Sequence, residues 1–128
     1  MPEPIDSRTL ALLCREFADT KKAEDILVLD VRNISTLTDY FVLASGTSPP
    51  HLRAISEAIL DRLREEYQIK PRAIDGTHNG GWMVLDFFDV IVHLMHPEVR
   101  AHYDLEGLWS DAPRVRARRA RARTTESS

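Results

Sequence analysis

Three places in this 128-residue chain carry residue types that can do chemistry. Gly46-Thr47-Ser48 puts small residues and two hydroxyls between apolar runs. If a strand ends and a helix begins there, free N–H groups and the helix dipole would suit a phosphate. The loop lacks the Gly-Lys-Ser/Thr ending of a Walker loop and the Gly-x-Gly-x-x-Gly of a dinucleotide site, so a turn with a helix cap is the simpler reading. Asp86 and Asp89 flank Phe87-Phe88, with His93 and His96 close behind. In a strand, residues three apart point to opposite faces, which disfavours either pair as metal ligands. Cys14 and Ser45 are possible nucleophiles, but neither has a base at a suggestive spacing. Cys14 falls on an apolar helical stripe and reads as a small core residue. No catalytic constellation, metal site or cofactor site is expected.

What remains is a surface. Trp82, Tyr103 and Trp109 are costly to expose, and they gather late in the chain with Asp86, Asp104 and Glu106. Aromatic anchors beside carboxylates suit docking onto a basic protein. Trp82 follows a glycine-rich turn and is expected to be partly exposed. Trp109 reads equally as core or as interface.

The elements that must position these residues follow from periodicity. Ser7 is a possible N-cap for a helix with its apolar stripe at Leu10, Leu13, Phe17 and Ala18. Ile26–Val31 and Tyr40–Ala44 read as strands. Ser48, followed by Pro49, starts a helix carrying Leu52, Ile55, Ile59 and Leu63. Ile69–Ile74 is expected as the next strand, so strand, helix and strand imply a crossover and a partly parallel sheet. Asn79-Gly80-Gly81 is a hairpin cue ahead of further strands at Trp82–Asp86 and Val90–Met95, which flank Phe87-Phe88-Asp89, and Glu98–Tyr103 is helix-like.

Charge divides the chain. Residues 1–112 hold 11 basic and 19 acidic side chains, a net of −8, while residues 113–128 hold six arginines against Glu126. The expected organisation is a flexible lead-in (1–6), one α/β domain (7–112) and a disordered arginine-rich tail (113–128). No apolar run approaches the ~18 residues of a membrane span. The N-terminus has no signal-peptide pattern. One cysteine cannot form an internal disulfide, so a cytoplasmic setting is expected.

From Asp25 to Trp109 the sequence resembles the ribosome silencing factor family, also called the iojap or RsfS family. The resemblance is carried by Asp25-Ile26-Leu27-Val28-Leu29-Asp30-Val31, Thr38-Asp39-Tyr40-Phe41-Val42, Gly46-Thr47-Ser48, Trp82-x-Val84-x-Asp86, Asp89-Val90-Ile91-Val92-His93 and Tyr103-x-Leu105-Glu106-x-Leu108-Trp109. Each is weak alone; their order and spacing are specific. The resemblance implies a mixed sheet flanked by helices, related to a nucleotidyltransferase-like fold without that superfamily's metal-binding carboxylates. It implies binding to the large ribosomal subunit through the ribosomal protein known as number fourteen of that subunit. The consequence would be blocked subunit joining and repressed translation, with no enzymatic turnover. Trp82, Asp86 and Tyr103 match positions expected to contact that partner, with Asp89 and Glu106 as further candidates. Some members form homodimers, so a homodimer is a further expected state.

Outside the resemblance, Arg114, Arg116, Arg118, Arg119, Arg121 and Arg123 would suit ribosomal RNA phosphates, or would merely solubilise the chain. The competing enzymatic reading is a nucleotidyltransferase-like protein using the Gly46-Thr47-Ser48 loop with some of Asp75, Asp86 and Asp89.

Overall fold

The structure, a computed structural model, describes residues 5–115. In chain order it contains α1 (Ser7–Asp19), β1 (Glu24–Asp30), β2 (Tyr40–Ser45), α2 (Pro49–Tyr67), β3 (Ala73–Thr77), β4 (Trp82–Asp86), β5 (Val90–Met95), α3 (Pro97–Tyr103) and α4 (Leu105–Leu108).

Helix α1 forms where the apolar stripe demands it, burying Leu10, Ala11, Cys14, Phe17 and Ala18. Its cap is Asp6 rather than Ser7: the Asp6 carboxylate accepts the Thr9 N–H at 2.7 Å, a stronger charge-assisted bond at the positive end of the helix. Ile5 packs against the core, so the lead-in expected over residues 1–6 is engaged by its last two residues. Helix α2 begins as its sequence dictates. Ser48 Oγ accepts the His51 N–H at 3.2 Å, Pro49 occupies the first turn, and Leu52, Ile55, Ile59 and Leu63 are buried.

The five strands make a mixed sheet in the order β1-β2-β5-β4-β3. The parallel pair is β2 with β5, Tyr40 opposite Val90 through Ser45 opposite Met95; the other pairs are antiparallel. The crossover through α2 therefore carries the chain to the far edge, and the last strand made becomes the central one. The strand expected at Ile69–Ile74 is displaced to Ala73–Thr77. Pro71 has no N–H to give a ladder, and pairing starts when the Arg72 N–H reaches the Asp86 carbonyl at 2.6 Å. Within β3, Gly76 has φ +76°, and a Cβ there would collide with the Trp82 carbonyl.

One sheet face, carrying Tyr40, Val42, Ala44, Leu85, Val90, Val92 and Leu94, packs under α1 and α2 as the main core. Each buried leucine or isoleucine contributes roughly 1.5–3 kcal/mol, enough for this face to hold the domain. A smaller cluster of Leu29, Val31, Leu43 and Ala112 lies on the other face, with Phe41, Leu105 and Trp109 against it.

Of the segment expected to be disordered from Pro113 on, residues 113–115 are instead paired with β1. Asp30 donates its N–H to the Pro113 carbonyl at 2.8 Å, Arg114 bridges Leu29 in antiparallel sense, and Val115 donates to the Val28 carbonyl at 2.7 Å. As an edge strand, β1 has backbone groups free for pairing, and pairing with backbone needs no apolar face on the incoming segment. Arg116, Arg118, Arg119, Arg121 and Arg123 lie outside the described residues. Among the described residues no helix is long and apolar enough to cross a membrane.

Candidate functional site

Strand alternation sends Trp82, Val84 and Asp86 of β4, Ile91 and His93 of β5, and Phe41 of β2 to the face away from α1 and α2. Helix α3 delivers Tyr103 to that face, and the turn after α4 delivers Trp109. Five rings form a continuous row across three strands. Tyr103 to Trp82 is 4.8 Å between centroids, Trp82 to His93 is 6.0 Å, His93 to Phe41 is 5.5 Å, and Phe41 to Trp109 is 5.1 Å. Tilted contacts at these distances are favourable ring packing. Tyr103 is 53% exposed, while both tryptophans are half-buried.

His93 holds the row's centre. Its Nδ1 accepts the Trp82 indole N–H at 3.1 Å, which places the neutral ring's proton on Nε2. Burial drives its pKa down to about 4, so the ring is neutral near pH 7.

Arg100 is only 6% exposed and secures α3 and α4 against the sheet. Its Nε donates to Glu106 Oε1 at 3.1 Å and its Nη1 to Ser45 Oγ at 3.0 Å. This clamp joins α3, α4 and β2, and so sets where Tyr103 and Trp109 lie. Nothing in the sequence marks an arginine of a short polar helix as buried, because arginines are buried only when paired and the pairing is tertiary.

The five residues expected at the interface are therefore distributed unevenly. Trp82 and Tyr103 are brought together. Asp86 shares Trp82's face at the opposite end of β4, bound to Arg72 at 2.8 Å and accepting the Phe88 N–H at 2.8 Å. Burial works against its ionisation, but these bonds outweigh it and hold its pKa below the usual value. By that second bond Asp86 pins a turn in which exposed Phe88 sits at φ 75°, a conformation costly for an aromatic residue. Asp89 is exposed beside it, its carbonyl accepting the N–H groups of Asp39 and Tyr40. Glu106 is engaged internally by Arg100. Phe41 and His93 join the row without having been expected at the interface; the alternation of β2 and β5 was the available signal.

The Gly46-Thr47-Ser48 loop is occupied from within. The Gly46 N–H donates to the Met95 carbonyl at 3.2 Å, the Thr47 N–H to His51 Nδ1 at 3.0 Å, and Ser48 caps α2. With two of its three amides engaged in the fold, the loop is a poor phosphate cradle. Among the described residues no group of three or more His, Cys, Asp or Glu is assembled as for a metal ion.

A family model described as "Ribosomal silencing factor during starvation" matches residues 4–128. The Ribosomal silencing factor RsfS of Bacillus subtilis is 36% identical over 109 residues, covering 85% of this chain and 92% of that protein. A mouse protein, "Mitochondrial assembly of ribosomal large subunit protein 1", is 37% identical over 95 residues, covering 70% of this chain and 40% of its own length. A crystal structure of a Chromobacterium violaceum protein superposes with a TM-score of 0.78 at 29% identity, over 83% of this chain and 88% of that one. One from Bacillus halodurans gives 0.73 at 32% identity, over 86% and 99%.

Proposed function

The chain belongs to the ribosomal silencing factor family, and from that premise we propose that it binds the large ribosomal subunit and represses translation as a steric block. In this reading the partner is the ribosomal protein known as number fourteen of that subunit, and the seat is the aromatic face around Trp82 and Tyr103. The observation that carries the reading is the Trp82–Tyr103 ring pair, tilted at 50° with centroids 4.8 Å apart and Tyr103 exposed on an acidic domain. Rings held by α3 and by the His93 hydrogen bond are pre-organised, which lowers the ordering cost of binding. The name of the mouse relative, which concerns assembly of the large subunit, supports that choice of subunit.

Charge supports the choice of a basic protein partner. With −8 over residues 1–112, the domain is steered toward a basic surface and gains association rate more than raw affinity. Bulk does the rest: a domain covering ~800 Å² of the subunit's joining surface excludes the small subunit without turnover. Asp86 and Asp89 contribute in this reading as carboxylates at the rim, whereas Glu106 acts from behind by holding Arg100. The arginines from Arg114 to Arg123 add salt-dependent contacts to ribosomal RNA phosphates.

Co-sedimentation with purified large subunits tests the reading. The wild-type chain is expected to migrate with the subunit, and Trp82→Ala with Asp86→Lys is expected to stay behind. Unchanged binding of that variant removes this face as the seat. A chain ending at Val115 with an unchanged salt dependence removes the RNA contact.

A further inference from the structure

At the centre of the aromatic row a polar hydrogen is left over. The Trp82 indole N–H occupies His93 Nδ1, so the neutral ring's own proton is on Nε2, and that nitrogen can only donate. Among the described residues Nε2 makes no hydrogen bond, yet it is not sealed in: the fully buried side-chain polar atoms without a partner there are Thr38 Oγ1 and Tyr40 Oη. The Nε2–H therefore opens on the face away from α1 and α2, between the rings of Trp82 and Phe41.

Its direction is fixed. Val84 and Leu43 lie opposite His93 on the neighbouring strands, and turning the ring would break the Trp82 bond. Moving the proton to Nδ1 would set it against the indole hydrogen. The exposed Tyr103 hydroxyl, by contrast, can rotate toward whatever acceptor arrives. In the free protein water accepts from Nε2. A partner that covers the row displaces this water, and a donor buried without an acceptor carries a full desolvation cost. Sites with a fixed polar group discriminate strongly against surfaces that leave it unpaired. The acceptor is best uncharged: a carboxylate would approach a domain of net charge −8 and shed its hydration among aromatic rings. Backbone carbonyls are the commonest neutral acceptors a protein surface presents.

We propose that His93 is a specificity-determining contact of this face, its Nε2–H donating to a carbonyl oxygen of the docked protein partner. The proposal rests on the ribosome-binding reading and names what that partner must present at the row's centre. Trp82 then has two duties, as an anchor and as the group that fixes the His93 tautomer. A partner surface with a methyl group at that point leaves the donor dry, and one with an ammonium or guanidinium opposes donor to donor. Charge steering cannot tell one basic protein from another; this donor can.

Two substitutions divide the ring's two roles, compared by co-sedimentation with purified large subunits. His93→Asn puts a carbonyl oxygen near the place of Nδ1, keeping an acceptor for Trp82 and losing the outward donor. His93→Gln, one methylene longer, brings an amide N–H to the place of Nε2. Binding should weaken about tenfold for His93→Asn and return to within about threefold of wild type for His93→Gln. Asparagine binding as well as glutamine overturns the proposal, because a ring that only seats Trp82 is replaced as well by either. A second measurement needs no substitution. Ring-nitrogen spectra of the chain carrying isotopically labelled histidine are recorded alone and with the purified ribosomal protein number fourteen of the large subunit. The Nε2-protonated tautomer is expected in both, with the Nε2–H exchanging with water in the free chain and protected and shifted downfield in the complex. A bound ring that has changed tautomer, or whose Nε2–H exchanges as in the free chain, overturns the proposal. A wild-type chain that does not migrate with the subunit defeats the ribosome-binding reading and this proposal with it. One that migrates but fails either comparison defeats this proposal alone.

Discussion

The Trp82 indole N–H donates to His93 Nδ1 at 3.1 Å, tying the half-buried ring beside Tyr103 to the centre of the aromatic row. A partner pressing on Trp82 thus meets a ring whose orientation is already set. Trp82→Phe keeps an aromatic ring and removes the donor. Its stability should fall by about 1 kcal/mol, measured by urea denaturation, with the far-ultraviolet spectrum unchanged.

His93 gives stability a pH dependence of known sign. Its folded pKa is depressed to about 4 by burial, against an ordinary 6.5. Between those values the unfolded chain takes up a proton that the folded chain refuses. The contribution is complete above pH ~6.5 and is lost as pH falls toward ~4, for a total of roughly 3 kcal/mol. Denaturation curves at pH 7.5, 5.5 and 4.5 should show this decline, and His93→Gln should flatten it across that window.

Removing the clamp at Arg100 should be costly. Arg100→Ala leaves Glu106 without its partner on a side chain 31% exposed and unseats Ser45 from its hydrogen bond. A loss of roughly 2–4 kcal/mol is expected in the same assay. Arg100→Lys should recover only part of this, since an ammonium cannot place two fixed donors toward Glu106 and Ser45 together. Equal stability of Arg100→Ala and wild type would refute the clamp.

Tyr103 separates binding from folding. It is 53% exposed, so Tyr103→Ala should leave thermal stability nearly unchanged while weakening co-sedimentation with large subunits by roughly 30-fold, the scale of an interface anchor worth ~2 kcal/mol. A variant that binds normally places the anchor elsewhere.

Cys14 should report global unfolding. It is fully buried in α1, and burial pushes its thiol pKa up to about 12. A disulfide-exchange reagent should label it in denaturant within minutes and leave the native chain untouched. Rapid labelling of the native chain would show that α1 opens locally.

How far the sequence revealed this arrangement depended on whether the cause was local. Helix α2 was readable because Ser48, Pro49 and the stripe from Leu52 to Leu63 act within one segment. Strands β4 and β5 were readable because their apolar runs are bounded by the Gly80-Gly81 turn and by Pro97. The Asp6 cap was missed because Ser7 and Asp6 are adjacent candidates separated only by bond strength. Strand β3 was misplaced because its position was set by pairing with β4, which starts only past Pro71. Trp82 and Tyr103 could be suspected from their types. That Asp86 is held by Arg72, Glu106 by Arg100 and His93 by Trp82 could not, because each bond joins segments whose proximity is a product of sheet order.

That order has a consequence for when the molecule can come into being. Strand β5 is the last of the five to be synthesised and the one that joins β2 to β4. A nascent chain that has emerged only as far as α2 holds β1 and β2 without the strand that joins them to β4 and β3. Assembly of the sheet must wait until Met95 has left the ribosome, and the clamp through Arg100 waits longer still. Until then a half-made copy lacks the row of rings that runs from Tyr103 to Trp109.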